Sequence, residues 1–269
     1  MKLNHARILL TGASGGLGRA LARALVEEGA DILLAGRDPA RLQAILSSMA
    51  SAGSQVETVI ADLDQTEGIE RVADAARAFG INVLINNAGI NAFGLFSQQD
   101  WRTVAGVLES NLLAPIRITH SLLPLLEGRG EAAIVNIGST FGSLPFPGFA
   151  AYSTAKAGLK GFSQALRREL ADSRVKVVFV APRAIETPLN TSAVNALNRA
   201  LGSKSDTPES VARQIVAALR EEKSEIHFGF PERLFAWLNG WAPSLIDKAL
   251  RTKLPLVKYH ATISGETKS

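Results

Sequence analysis

One junction near the amino terminus constrains this chain more than any other feature. The apolar run Ala6–Leu10 leads directly into Thr11-Gly12-Ala13-Ser14-Gly15-Gly16-Leu17-Gly18. Leu17, Ala20, Leu21, Ala24 and Leu25 then repeat at helical spacing until Gly29. A strand that turns on glycines into a helix brings its backbone close to a ligand, because no Cβ stands in the way. The start of the helix offers unpaired N–H groups and the positive end of a dipole, which together suit a pyrophosphate. The glycine spacing is G-x-x-x-G-x-G, at Gly12, Gly16 and Gly18; Leu21 occupies the place where G-x-G-x-x-G would need its last glycine. The same residues also spell G-x-S-x-G around Ser14, the pattern of a hydrolase nucleophile elbow. That reading fails on position, since such an enzyme draws part of its oxyanion hole from a loop after an earlier strand.

The alternation begun here continues along the chain. Strand-like runs at Asp31–Ala35, Val56–Ala61, Asn82–Ile85, Ala132–Ile137, Val175–Val180 and Glu225–Phe228 are separated by helical stretches. Those stretches are Pro39–Met49 with Asp38 as N-cap, Glu67–Phe79 ended by Gly80, about Asp100 to Leu126, Tyr152–Leu170 and Pro208–Arg220. This rhythm predicts an α/β fold: a Rossmann-type doubly wound parallel sheet of about seven strands, with helices on both faces. Residues 1–229 read as one dinucleotide-binding catalytic domain. Residues 230–269 stand outside the alternation, as an amphipathic, basic C-terminal helical extension packed on or near the core.

Several function classes are excluded by composition. The 269 residues contain no cysteine, so there is no disulfide scaffold, thiolate metal site or cysteine nucleophile. The four histidines, His5, His120, His227 and His260, show no ligand spacing, and no metal site is expected. The net charge of +4 is concentrated in the tail, where six bases face three acids. That is no nucleic-acid footprint. No secretory leader or membrane-spanning run is visible, and a cytoplasmic location is the expectation.

Two further positions speak to chemistry. The second strand ends at Gly36-Arg37, where an acidic residue would grip the ribose 2′-hydroxyl of NAD and an arginine suits the 2′-phosphate of NADP. Arg37 therefore favours NADP(H) over NAD(H), although Asp38 beside it partly offsets its charge. Tyr152 and Lys156 lie four apart on a predicted helix and share one face. A phenol is a poor acid–base group at neutral pH, and a nearby ammonium lowers its pKa.

Taken in order, Thr11-Gly12-x3-Gly16-x-Gly18, Asp62, Asn86-Asn87-Ala88-Gly89, Asn111, Ser139 and Tyr152-x3-Lys156 resemble the short-chain dehydrogenase/reductase family over about residues 6–230. The resemblance implies a catalytic set of Asn111, Ser139, Tyr152 and Lys156. Tyr152 would be the general acid or base, Lys156 would bind the nicotinamide ribose and tune Tyr152, and Ser139 would hold the substrate oxygen. Asn111 would support a water-linked proton relay. The implied cofactor site comprises Gly12, Ser14, Gly16, Leu17, Gly18, Arg37, Asp62, Leu63, Asn87, Ala88, Gly89, Pro182, Ile185 and Thr187, with Tyr152 and Lys156. Asp62 would contact the adenine, while Asn87 and Gly89 would line the cleft. The implied activity is NADP(H)-dependent interconversion of a carbonyl and a secondary alcohol, running as the reduction of an apolar substrate, in a homodimer or homotetramer. A non-catalytic NADP-binding regulator is the rival, and the complete Ser139–Tyr152–Lys156 set argues against it.

The chain departs from the family pattern after the sixth strand. Pro182-Arg183-Ala184-Ile185-Glu186-Thr187 keeps the threonine but has Arg183 where the family usually has glycine. Arginine tolerates positive φ poorly, so an altered backbone is expected, with Arg183 facing the pyrophosphate or an anionic substrate group. Residues 188–206 should form the substrate lid, with Ala193, Val194, Leu197, Ala200 and Leu201 on a short amphipathic helix. In the tail, Leu234, Phe235, Trp237, Leu238 and Trp241 make one helical stripe, and Leu245, Ile246, Ala249, Leu250 and Leu254 a second. Ser244 with Asp247 reads as a capping box between them. Packing over the cleft, packing between subunits and peripheral contact with an anionic membrane all remain open, burial being the commoner fate of such stripes.

Overall fold

The computed structural model describes residues 1–49 and 53–266; Lys268, counted above with the basic tail, lies outside them. Seven strands form one parallel sheet: β1 (Arg7–Thr11), β2 (Asp31–Gly36), β3 (Val56–Ile60), β4 (Val83–Asn86), β5 (Ala132–Ile137), β6 (Val175–Ala181) and β7 (Glu225–His227). Their order is β3-β2-β1-β4-β5-β6-β7, the doubly wound arrangement expected from the alternation.

The strand sequences explain why both faces are covered. Ile8 and Leu10 of β1 enter one core and Leu9 the other; Ile32 and Leu34 of β2 face away from Leu33 in the same way. Successive apolar residues on both faces of the central strands leave no face for water, so helices must cover both. On one side lie α1 (Gly16–Glu27), α2 (Pro39–Met49) and α8 (Pro208–Arg220), contributing Leu21, Leu25, Ile45 and Ile215. On the other lie α3 (Thr66–Phe79), α5 (Ala114–Glu127) and α6 (Ala150–Glu169), contributing Val72, Phe79, Ile118 and Leu166. Asp38 accepts a hydrogen bond from the Arg41 amide at the start of α2, and Gly80 ends α3 in the left-handed region at φ 73°, as the sequence predicts.

The long helix expected from Asp100 to Leu126 is interrupted. It consists of α4 (Trp101–Leu108), a π-helical turn over Glu109–Leu113, and α5. Pro115 supplies the reason, because it has no N–H to give the Asn111 carbonyl four residues earlier. Asn111 thus sits at the centre of a widened turn.

The segment expected to form the lid contains α7 (Ser192–Ala200), capped by Thr191, whose hydroxyl accepts from the Val194 amide. The tail departs from expectation. It forms three helices, α9 (Glu232–Trp241), α10 (Pro243–Arg251) and α11 (Leu254–Glu266), and the third was not foreseen. The capping box is absent: α10 begins at Pro243 with Ala242 at its N-cap and no side-chain cap, which places Ser244 inside the helix. Within this chain the stripes are only partly covered. No residue of α9 is buried, and in α10 only Ile246 is. The buried tail contact is made by α11, where Val257 and Ala261 face inward. Among the described residues no helix is long and apolar enough to cross a membrane.

Candidate active site

The strand order reverses between β1 and β4, so the loops leaving their carboxyl ends diverge and open a crevice between them. The sequence places its glycine turn at one rim and Asn87-Ala88-Gly89 at the other. Gly12 has φ 64°, and a Cβ there would stand 2.6 Å from the Ala88 Cα. Only glycine meets both demands. The turn is clamped from across the crevice: Thr11 Oγ1 accepts from the amides of Asn87 and Ala88, each at 3.0 Å. Asn87 Nδ2 donates to the carbonyls of Thr11 (3.0 Å) and Gly12 (3.1 Å). The Asn87 side chain therefore fixes the turn and has its amide committed there.

Helix α1 begins after Gly15 with no side-chain cap and no acid in its first turn. Its leading amides are left for an anion, which fits the phosphates of a dinucleotide. Ser14 is half-buried in the turn, while Leu17 and Gly18 are buried behind it. Thr187 comes from the far side of the cleft, with its Cγ2 2.7 Å from where a Gly16 Cβ would lie. Pro182 is buried, and its carbonyl accepts from the Thr140 amide at 2.9 Å and the Thr140 hydroxyl at 3.1 Å. Ile185 bridges to Asp206, and its carbonyl accepts from Asn190 Nδ2. Asp62 accepts from the Asp64 amide in a local turn, beside half-buried Leu63. Arg37 is exposed just beyond β2 and makes no ion pair among the described residues. Its neighbour Asp38 is committed to Arg41, at 3.1 Å.

Deeper in the crevice four side chains converge. Tyr152 and Lys156 lie one turn apart near the start of α6, on the face turned to the sheet, and Ser139 follows β5. The Lys156 ammonium is buried and donates to the Ile137 carbonyl at 2.9 Å. It lies 5.7 Å from the centroid of the Tyr152 ring. Burial draws its pKa down to about 8. Burial pushes the Tyr152 phenol up to about 12, and the Ser139 hydroxyl pulls it part of the way back. The phenol of the free chain thus stays protonated, where the sequence led us to expect a cation-lowered pKa. Asn111 projects from the π turn, with Nδ2 donating to the carbonyls of Ile90 (2.8 Å) and Val107 (2.9 Å). Its Oδ1 is buried without a partner. A Cβ on Gly89 would lie 2.5 Å from this oxygen and 3.7 Å from Lys156 Nζ. Glycine at that position keeps open the space the two polar tips share.

Arg183 does not have positive φ, in keeping with the altered backbone expected there, but its side chain is not left for an anion. Its guanidinium is bidentate on Asp206, at 2.9 and 2.7 Å, and lies 3.7 Å from Glu232 of α9. Two carboxylates already hold the charge that was expected to meet a phosphate, and Asp206 raises its pKa further. Asp206 also bonds by its backbone to Ala184 and Glu186. Arg183 therefore ties the segment around Asp206 to the first turn of α9.

Sequence reasoning missed two features. One is a buried polar chain beneath the site: Asn86 Nδ2 donates to Asn136 Oδ1 (2.8 Å), and Asn136 Nδ2 to Ser163 Oγ (2.8 Å). An asparagine inside the otherwise apolar strand Ala132–Ile137 was its signal. The other is an aromatic wall beside Tyr152. Phe141 packs edge-on to the Tyr152 ring at 6.4 Å and tilts against Phe149 at 5.0 Å. Phe93 and Phe146 extend the wall, and Val194 and Leu197 of α7 close it with Val257 of α11.

Comparison with known proteins agrees with this architecture. The family model described as short chain dehydrogenase matches residues 6–198. The ketoacyl reductase HetN of Nostoc sp. is 33% identical over 221 residues, covering 81% of this chain and 77% of that protein. A short-chain dehydrogenase from Burkholderia cenocepacia J2315, solved in complex with NADP, superposes with a TM-score of 0.74 at 27% identity, covering 81% of this chain and 92% of the other. A Burkholderia phymatum enzyme in complex with NAD shows the same fold, with a TM-score of 0.83 at 24% identity, covering 91% and 96%.

Proposed function

The chain belongs to the short-chain dehydrogenase family of oxidoreductases, and from that membership we propose that it reduces the carbonyl of an apolar substrate with NADPH. The observation that carries this reading is the convergence of Tyr152, Lys156, Ser139 and the unpaired Asn111 Oδ1 behind a glycine turn shaped for a dinucleotide. When bound, the reduced nicotinamide supplies the hydride that the carbonyl carbon accepts. The residues of this chain do the rest. Ser139 holds the carbonyl oxygen. The Tyr152 phenol, kept neutral by burial, gives that oxygen its proton as the carbon–oxygen double bond becomes an alcohol. Lys156 stabilises the tyrosinate left behind and returns a proton to it, and Asn111 orients the water that resupplies Lys156.

Arg37 supports NADP over NAD, because it is free to meet a 2′-phosphate while the neighbouring carboxylate is already bonded. The aromatic wall beside Tyr152 supports an apolar ketone, such as an acyl or aryl ketone. The relative named as a ketoacyl reductase is consistent with that class. The test is a panel of ketones, aldehydes and alcohols followed at the NADPH absorbance band, with Tyr152→Phe as control. The expected result is turnover of apolar ketones that falls at least about a hundred-fold in the variant. Tight NADPH binding without turnover of any carbonyl or alcohol would favour a cofactor-sensing regulator instead.

A further inference from the structure

We propose that the outer face of α9 and α10 is a docking surface for an anionic lipid bilayer, lying in the plane of the headgroups. This goes beyond the reaction proposed above and does not depend on it. The observation is an apolar stripe that the fold leaves uncovered. Leu234, Trp237 and Trp241 recur at helical spacing along α9 and Leu245 follows in α10, and Trp237, Trp241 and Leu245 are 61%, 78% and 58% exposed. Phe230, just before α9, is 74% exposed. Large apolar side chains grouped in this way mark a surface that binds something.

Charge identifies the occupant. Arg233, Lys248, Arg251, Lys253 and Lys258 are all exposed on the same helices and their continuation. The one exposed acid among residues 230–258 is Asp247, since Glu232 is drawn back onto Arg183. A second copy of the chain docking here by two-fold symmetry would set this basic rim against itself. Lipid headgroups of opposite sign complement it, and indole rings beside lysine and arginine suit the depth where acyl chains give way to headgroups. None of the described helices is long and apolar enough to cross a bilayer, so the contact is peripheral.

The surface is also held firmly to the rest of the molecule. Asn239 of α9 donates to the Ser143 carbonyl at 3.0 Å, in the loop that follows Ser139. Val257, in the next helix, packs against Phe149, Val194 and Leu197 at the aromatic wall.

The experiment uses the full chain and the Trp237→Ala/Trp241→Ala double variant. Co-sedimentation is measured with vesicles of phosphatidylglycerol mixed with phosphatidylcholine and with phosphatidylcholine alone, at low salt and at about 0.5 M salt. Light scattering and a thermal melt on both proteins report assembly and folding. The expected result is binding to the anionic vesicles that falls about ten-fold or more on the neutral ones, in high salt and in the double variant. The proposal is overturned if the wild type does not sediment with anionic vesicles, or if a folded double variant binds them equally well. It is also overturned if the variant loses self-association while vesicle binding is unchanged. A double variant that fails to melt cooperatively is replaced by Lys248→Glu/Arg251→Glu, for which the same loss is expected.

Discussion

Lys156 lets the tension between function and stability be measured. Its ammonium is buried, and its pKa is drawn from 10.5 to about 8. Below pH 8 the fold therefore holds a charge that water would solvate better. At about 1.4 kcal/mol per pKa unit, the full penalty is about 3 kcal/mol. As pH rises from about 8 toward 10.5 the folded protein gives up this proton before the unfolded chain does, and the penalty fades. Stability owed to this group therefore climbs with pH, by about 2 kcal/mol between about pH 7 and 9.5. Tyr152, at about 12, stays protonated throughout that window. Lys156→Met removes the titration and leaves the Ile137 carbonyl without its partner, a pH-independent cost of about 1–3 kcal/mol. The absolute difference at pH 7 is a near cancellation, so the slope is the clean quantity. Urea unfolding of both nucleotide-free proteins across that range should show the wild type gaining about 2 kcal/mol on the variant. Parallel pH profiles would refute the claim that this ammonium is desolvated.

Two other substitutions probe the cleft. Arg37→Asp should lower kcat/KM with NADPH by about ten-fold or more while sparing NADH, measured with one substrate and both nucleotides; an unchanged ratio would remove Arg37 from cofactor choice. Arg183→Gly, which restores the residue usual in the family, should lower stability by about 2 kcal/mol, because Asp206 and Glu232 are left mostly buried without their cation; a change below about 0.5 kcal/mol in urea unfolding would make the ion cluster incidental.

The sheet was legible because its strands are short, mostly apolar and bounded by turn residues, and the alternation with helices points to a parallel sheet. The glycine turn, Ser139, Tyr152 and Lys156 were legible because their types and order admit few other uses. The π turn was not, since the periodicity of α4 and α5 reads through it and only Pro115 betrays the break. Arg183 was misread for a different reason. Its partners, Asp206 and Glu232, are distant in sequence, so an arginine near a phosphate site was given to the phosphate. The tail stripes were correctly found as helices, but hydrophobic spacing cannot say what a stripe meets, and within this chain the α9 stripe is largely exposed.

The asparagine chain under the site bears on how the sheet is held in register. Asn86 and Asn136 stand opposite each other on β4 and β5. Every other residue of those two strands is an aliphatic side chain that would tolerate a different neighbour. Sliding one strand past the other by a single position would turn its amide to the opposite face and leave its partner's amide unpaired, at about 1–3 kcal/mol apiece. Aliphatic contacts alone would resist such a shift only weakly. Two carboxamides and the Ser163 hydroxyl thus act as an indexing pin, locking the strand that delivers Ser139 to the helix that delivers Tyr152.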